Sequence, residues 1–276
     1  DGSSDMTAQI VNKHSTELRN LELIQLQGNG VGSAIDAGHQ AMLKSLSEPF
    51  VSVVMAGDGQ MDPDDLELLI EPVTKNQADY VKGNRFLHQD GLGNMPLVRK
   101  IASMVLGFFT TLAAGRHVTD PQCGYTATSS LIIKHWNWSK SWKGYGYPNY
   151  WLIELSRRSM RVAEVPVKSI YGKEKSGIIM AKFFLSVGLM MLIMHHKRCF
   201  SMLFSKSVAP HTILSFIAYI LGWITIIPGV STDLENELTA GFASKLILLV
   251  FCWVCAHILD RLAVESRTEL RVNAQT

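Results

Sequence analysis

The stretch VVMAGDGQMDP, Val53–Pro63, places an unusual amount of oxygen at the end of an apolar run. Asp58, the Gln60 amide, Asp62 and Asp64 follow one another closely. Hard oxygen donors of this kind suit Mg2+ or Mn2+, which proteins hold through one or two carboxylates together with substrate phosphates. Asp62 and Asp64 have a competing duty. Asp62 reads as an N-cap with Pro63 at the first helical position, and acids in a first turn complement the helix dipole. That reading suits both better. Asp58 has no such duty, and loop carboxylates at strand ends are where chemistry collects.

The basic residues point the same way. Arg85 closes KGNR, Arg99 and Lys100 lie in PLVRK, and Lys173 and Lys175 lie in YGKEKSGI. Each alone reads as a solvated surface charge. If their loops share one edge of a sheet, they form a cationic wall suited to a diphosphate and a second phosphate. Gly28, Gly30 and Gly32 give G-x-G-x-G, which misses the dinucleotide fingerprint by one residue. No acid follows about twenty residues later at a strand end.

The elements that would position these groups alternate. LELIQL, 21–26, reads as a strand, and a helix carries Val31, Ala34, Ile35, Gly38, Met42 and Leu46 at helical spacing. FVSVVM, 50–55, is a continuous β-branched run of the kind buried on both faces. A helix with Leu66, Leu69, Ile70 and Val73 inward follows, and Pro72 should end or kink it. Strands are predicted at 78–83, 124–129 and 160–169, with helices over 96–115 and 149–159. This alternation gives an α/β sheet with helices on both faces. Ligands of such sheets bind beyond the carboxyl ends of the strands. The chain opens on the turn-like DGSSD, and the start of its first domain is expected to be missing.

The remainder has a different character. Ser207–Thr232 contains no Asp, Glu, Lys or Arg, and Lys245 alone interrupts Leu238–Leu259. A bilayer span needs about 20 apolar residues, so two spans fit, near 210–230 and 242–260. The competing reading is a pair of buried helices in a soluble domain. Lys197, Arg198 and Lys206 precede the first span and Arg261, Arg267 and Arg271 follow the second, whereas the link STDLENE is acidic. By the positive-inside rule, both ends and the main domain are cytoplasmic. Between them, 181–204 mixes apolar runs with basic breaks and reads as an interfacial amphipathic segment or as a buried helix. Cys252-x-x-Cys255 lies in apolar sequence and reads as packing rather than a metal or redox motif. A net charge of +2 gives no support for nucleic-acid binding.

Taken together, DGSSD, GNGVGSAIDAG, AGDGQMDPDDL, KGNRF, DPQCGY and YGKEKSGI, in this order, resemble the family-two glycosyltransferases of GT-A fold. Within them the match is to the polyprenyl-phosphate, dolichol-phosphate-mannose-synthase-like branch, where a C-terminal membrane hairpin is common. The resemblance implies a mixed Rossmann-like sheet over 1–176, an interfacial segment over 177–206, a transmembrane hairpin over 207–262 and a cytoplasmic tail over 263–276. It implies that Asp58 is the second acid of a D-x-D pattern, binding Mg2+ or Mn2+ together with Gln60 against a nucleotide-sugar diphosphate. Asp1 matches an acid of a nucleotide-contacting turn, and Arg85, Arg99 and Lys175 match residues that hold an acceptor phosphate. Three features depart from the pattern. Ala56 replaces the first acid of D-x-D, the first strand is absent, and Tyr150 stands where related sequences often carry an acid. The last departure leaves Asp120 as the candidate base.

The implied activity is inverting transfer of a sugar from a nucleotide-sugar to a polyprenyl phosphate at the membrane. The alternatives are transfer to a sugar hydroxyl, a non-catalytic scaffold with a degenerate domain and, on the glycine turn alone, a dinucleotide-dependent oxidoreductase. Self-association as a homo-oligomer is left open.

Overall fold

Four residues in register, Val54, Thr126, Lys82 and Glu164, mark the edge of the sheet on which the candidate site depends. The computed structural model describes residues 1–89, 95–170, 180–205, 208–227 and 241–274. Its strands are β1 (Val51–Val54), β2 (Tyr80–Asn84), β3 (Thr126–Ser129) and β4 (Val162–Pro166), in the order β1-β3-β2-β4. β3 is antiparallel to both neighbours, and β2 and β4 are parallel. The carboxyl ends of β1, β2 and β4 therefore share one edge with the amino end of β3.

Helices α1 (Thr7–Ser15), α2 (Val31–Ser45), α3 (Leu66–Thr74), α4 (Leu97–Ala114), α5 (Ser130–His135) and α6 (Tyr147–Arg157) join these strands. Asp62 caps a 3₁₀ turn over Pro63–Asp65 by accepting from Asp64 N–H at 3.1 Å, which leads into α3. Pro72 lies inside α3, which runs on to Thr74, and its carbonyl accepts from Gln77 and Ala78 N–H beyond the helix end. Leu69, Ala78, Val81, Cys123, Tyr125, Ala127 and Val167 form the core between α3 and the sheet.

Two expectations need correction. Residues 21–26 form no strand: a ladder needs repeated backbone pairs, and among the described residues this segment's backbone bonds are Gly2 N–H to Leu26 O at 2.9 Å and the local Leu21 N–H to Leu18 O at 3.1 Å. β1 is not buried on both faces. It ends the order of strands, and Val51, Val53 and Val54 are half-buried.

The glycine turn before α2 serves backbone approach. Gly30, at φ +98°, starts the helix, and a Cβ there would lie 2.6 Å from Lys143 O. Gly32 N–H donates to the same carbonyl at 2.9 Å. Asp36, one turn along α2, is buried against Lys143 Nζ at 2.7 Å and Ser141 Oγ at 3.0 Å. His39 lies next on this face, 2.8 Å from Ser52 Oγ and beside Trp151. Trp151 in turn stacks on Trp136, with ring centroids 3.8 Å apart.

A second unit comprises 108–118, 152–160 and 190–276. Its long elements are the distal part of α7 (Met180–Leu203), α8 (Pro210–Ile224) and α9 (Gly241–Asn273). α8 and α9 run antiparallel: Ser215 Oγ donates to Ala256 O at 2.8 Å, and Gly222 lies against Trp253. α9 continues through the expected tail as far as Asn273. Among the described residues, the helices long and apolar enough to cross a membrane are 97–114 and 243–273, while α8 is apolar but shorter. The first of these was not expected as a span. α4 carries an exposed apolar stripe of Leu97, Val98, Ile101, Met104 and Val105. α7 exposes Leu185, Leu189, Leu192 and Ile193 along one face.

Burial lowers the pKa of His39 from 6.5 to about 4. The unfolded chain takes up a proton below pH 6.5, whereas the folded chain resists until about pH 4, so stability is lost as pH falls across that window. The loss amounts to about 3 kcal/mol. Urea titrations at steps of pH should show this decline in the wild type and a flatter profile in His39→Gln. Gly222→Leu should weaken the α8–α9 pair, because its Cβ would meet Trp253 Cδ1 at 2.6 Å; thermal melting in detergent measures the loss.

Candidate active site

The acidic turn leaves β1 at the shared edge. Asp58 is exposed, and its Oδ1 accepts from Gln60 N–H at 3.0 Å in an Asx-type turn. The rest of the turn is fastened to the exit of β4. Ile170 N–H donates to Gln60 O at 3.2 Å, Met61 bridges Ser169, and Lys168 N–H donates to Asp65 Oδ2 at 2.7 Å. Tyr125 Oη donates to Asp62 O at 3.2 Å. Asp62 caps the turn and Asp65 accepts from Lys168 N–H, while Asp58 and Asp64 are the exposed carboxylates of this stretch.

β2 delivers Arg85 to the same edge. β1 and β2 both flank β3, so their ends stand about 10 Å apart. Asp120, fully buried, holds Arg85 by a fork: Nε to Oδ2 at 2.8 Å and Nη2 to Oδ1 at 2.8 Å, with Arg85 N–H to Oδ2 at 3.0 Å. Burial raises the Asp120 pKa, but the hydrogen bonds and charge of Arg85, helped by Lys82, outweigh it and leave the carboxyl below its ordinary range. Such a group is a poor proton acceptor. Its geometry is that of an anchor for Arg85.

A buried polar layer lies beneath this pair. Lys82, with no exposure, donates Nζ to Cys123 O, and burial drives its pKa down against the pull of Asp120 and Glu164. Asn84 Nδ2 donates to Glu164 Oε2 at 2.7 Å and to Thr119 Oγ1, while its Oδ1 accepts from Phe86 N–H at 2.9 Å. Lys82, Asn84 and Glu164 are not among the residues expected at the site. A lysine in the middle of a strand was the available signal, since a buried ammonium demands partners.

Other anticipated residues fall differently. Both oxygens of Asp1 are engaged by the glycine turn, accepting from N–H of Gly28 at 2.9 Å, Asn29 at 2.9 Å and Gly30 at 2.7 Å. Its visible work is to shape that turn. Arg99 is exposed in the first turn of α4. Lys173 and Lys175 lie outside the described residues. Tyr150 is buried edge-on to Trp136, with centroids 6.4 Å apart. An apolar cavity of about 730 Å3 runs beside β1 and α2, lined by Ile35, Val53, Ala56, Met61 and Tyr147 among others.

The turn fits a hard divalent cation of low protein coordination. Asp58 supplies the exposed carboxylate of the turn, Gln60 follows two residues on, and Ala56 contributes no ligand atom. Such a cation keeps waters and takes substrate phosphate oxygens as its remaining ligands. Among the described residues, the group of three His, Cys, Asp or Glu ligand atoms gathered within 4.8 Å is elsewhere, at His195, Cys199 and Asp260.

The family model described as glycosyl transferase family 2 matches residues 1–136. A protein of Methanocaldococcus jannaschii with no assigned function is 31% identical over 171 residues, covering 62% of this chain and 68% of that one. The chain belongs to glycosyl transferase family 2. Two further relatives of this family-2 chain have named activities. A UDP-N-acetylglucosamine–dolichyl-phosphate N-acetylglucosaminyltransferase of Methanococcus voltae is 32% identical over 145 residues, 52% of this chain and 57% of that protein. A dolichyl-phosphate beta-glucosyltransferase of Trichomonas vaginalis is 28% identical over 173 residues, 61% of this chain and 50% of that protein. The family-2 chain therefore spans little more than half the length of the two named enzymes.

Asp120→Ala would leave the Arg85 guanidinium in a largely buried site without its partner. Breaking such a pair costs about 3–5 kcal/mol. Urea unfolding followed by tryptophan fluorescence should register that loss, and Asp58→Ala, on the exposed turn, should stay close to wild type in the same assay.

Proposed function

We propose that the protein is a membrane-bound inverting glycosyltransferase that moves a sugar from a nucleotide-sugar to a polyprenyl phosphate. The observation that carries this reading is the fork from Asp120, which aims Arg85 at the sheet edge where Asp58 also stands. One edge then holds an anion-binding cation and a metal-binding carboxylate, the two charges a diphosphate leaving group and a phosphate acceptor need. The dolichyl-phosphate activities of the two named relatives support the acceptor class.

In this mechanism the donor's nucleoside has room in the cavity beside Ala56. Asp58 and Gln60 would hold Mg2+ or Mn2+, which when bound neutralises the diphosphate and stabilises it as it leaves. Asp1 holds the glycine turn in shape beside the nucleotide. Arg85, with Arg99 and Lys175, receives the acceptor phosphate. A phosphate oxygen attacks the anomeric carbon in line, the glycosidic bond to the diphosphate breaks, and configuration inverts. The acceptor arrives ionised, so no strong base is required. This agrees with the depressed pKa of Asp120, whose part is to position Arg85. Fixed charges of this kind supply transition-state stabilisation without reorganisation.

We read 1–176 as the catalytic part, 177–206 as interfacial, 207–262 as a membrane hairpin and 263–276 as a tail. The basic flanks support a catalytic part on the cytoplasmic face, and a membrane anchor suits an acceptor that is itself a lipid.

Transfer of labelled sugar from a nucleotide-sugar panel into extracted lipid, with the full-length protein in membranes, tests the reading. Asp58→Ala should abolish cation-dependent transfer; unchanged turnover would remove the metal role. Asp120→Asn should retain turnover with a raised KM for the lipid phosphate. A collapse of kcat by about 10²–10⁴ would instead make Asp120 a general base and the acceptor a hydroxyl. Absence of nucleotide-sugar binding by calorimetry with Mn2+ present would favour a scaffold.

A further inference from the structure

The second unit contains a ligand set that the transfer reaction does not use. His195 and Cys199 stand at i and i+4 on α7, and His257 and Asp260 at i and i+3 on α9. Residues at these spacings share one helix face, so each helix presents a pair. The two pairs meet. Ligand atoms of His195, Cys199 and Asp260 all lie within 4.8 Å of one another, and the rings of His195 and His257 are 6.0 Å apart. All four line one cavity of about 130 Å3. Thr212 of α8, also 7% exposed, lines it too, and its Oγ1 has no hydrogen-bond partner among the described residues.

We propose that His195, Cys199, Asp260 and His257 form a second metal site, selective for a borderline-soft divalent ion such as Zn2+ and separate from the cation of the transfer site. The distances fit that chemistry. Tetrahedral zinc with Zn–S near 2.3 Å and Zn–N near 2.0–2.1 Å sets sulfur and nitrogen about 3.6 Å apart. Cys199 Sγ is 3.7 Å from His195 Nε2 and 3.9 Å from Nδ1, so the separation matches and a turn of the imidazole ring aims Nε2 at the ion. Nitrogen, thiolate and carboxylate ligands together suit zinc and poorly suit magnesium.

Arg198 is the group to reconcile. Fully buried, it holds Asp260 through Nη1 to Oδ1 at 2.9 Å and Nη2 to Oδ2 at 2.6 Å, and its Nε donates to Ala113 O at 2.9 Å. Nη2 also stands 3.4 Å from His195 Nδ1. Each carboxylate oxygen keeps a further lone pair, so Arg198 acts as the outer partner that orients a metal-binding carboxylate. Binding replaces the thiol proton: the S–H bond breaks, an S–Zn bond forms with the same electron pair, and the proton goes to solvent.

The test uses the purified full-length protein in detergent, first stripped with chelator, then titrated with Zn2+ or Co2+ alone. The expected result is stoichiometric zinc by elemental analysis, a raised melting temperature, and a thiolate-to-cobalt charge-transfer band in the near ultraviolet. Cys199→Ser, checked for fold by circular dichroism, should lose that band, while Asp58→Ala should keep it, separating this site from the transfer cation. The variant C123A/C252S/C255S leaves Cys199 as the sole thiol and should also keep the band, which decides the matter if Cys199→Ser does not fold. Loss of the band in the sole-thiol variant, or its survival in Cys199→Ser, overturns the proposal, as does the absence of any band in the wild type.

Discussion

A carboxylate with no exposure to water is the constraint around which the candidate active site is built. Asp120 stays ionised in the interior because Arg85 grips both its oxygens and Lys82 lies nearby. The fork removes most of the freedom of a long, flexible side chain and fixes where the guanidinium lies. It also joins two pieces of chain: the end of β2, and the loop that leads into β3. Lys82, Asn84, Thr119 and Glu164 carry the same polarity deeper, along β2 and β4. Most polar atoms behind this edge are paired, Glu164 Oε1 being an exception among the described residues. The acidic turn is fixed by other means, through backbone bonds to the exit of β4, and Asp58 stays exposed with only its own turn holding it.

Much of this arrangement was legible in local sequence. The β-branched run at 50–55, the Asp-Pro-Asp start before α3, and the apolar spacing of α2 each depend on neighbours a few residues away, and each appears near its expected place. The fork between Arg85 and Asp120 was half legible. Both residues stood out, but their pairing spans a long stretch of chain, and nothing in the spacing tells a base from an anchor. Lys82 was hidden by its surroundings in KGNR, where Arg85 drew the attention. The strand expected at 21–26 failed for a related reason: alternation signals a capacity to pair, and the ladder itself needs a partner. The glycine turn was ambiguous between phosphate binding and close packing until the carbonyl of Lys143 was seen against it.

The helical unit repeats the theme of a buried charge with its counter-ion. Arg198 and Asp260, far apart in the chain, meet with no exposure of the guanidinium and tie α7 to α9. In a segment otherwise selected for apolar character, such a pair is costly unless every donor is used. Two of the guanidinium nitrogens serve Asp260 and a third serves a backbone carbonyl. From sequence, Arg198 was one of several flanking positive charges, and only its burial distinguishes it from Lys197 beside it.

The position of β3 has a consequence for how the chain is made. β1 and β2 emerge first, yet they are not neighbours; the strand that joins them is the third to be synthesised. No two of the described strands can begin to zip until Thr126–Ser129 has left the ribosome, and β3 must then be received between two waiting partners. Until that moment Val51–Val54 and Tyr80–Asn84 carry open edges, of the kind that cellular chaperones shield.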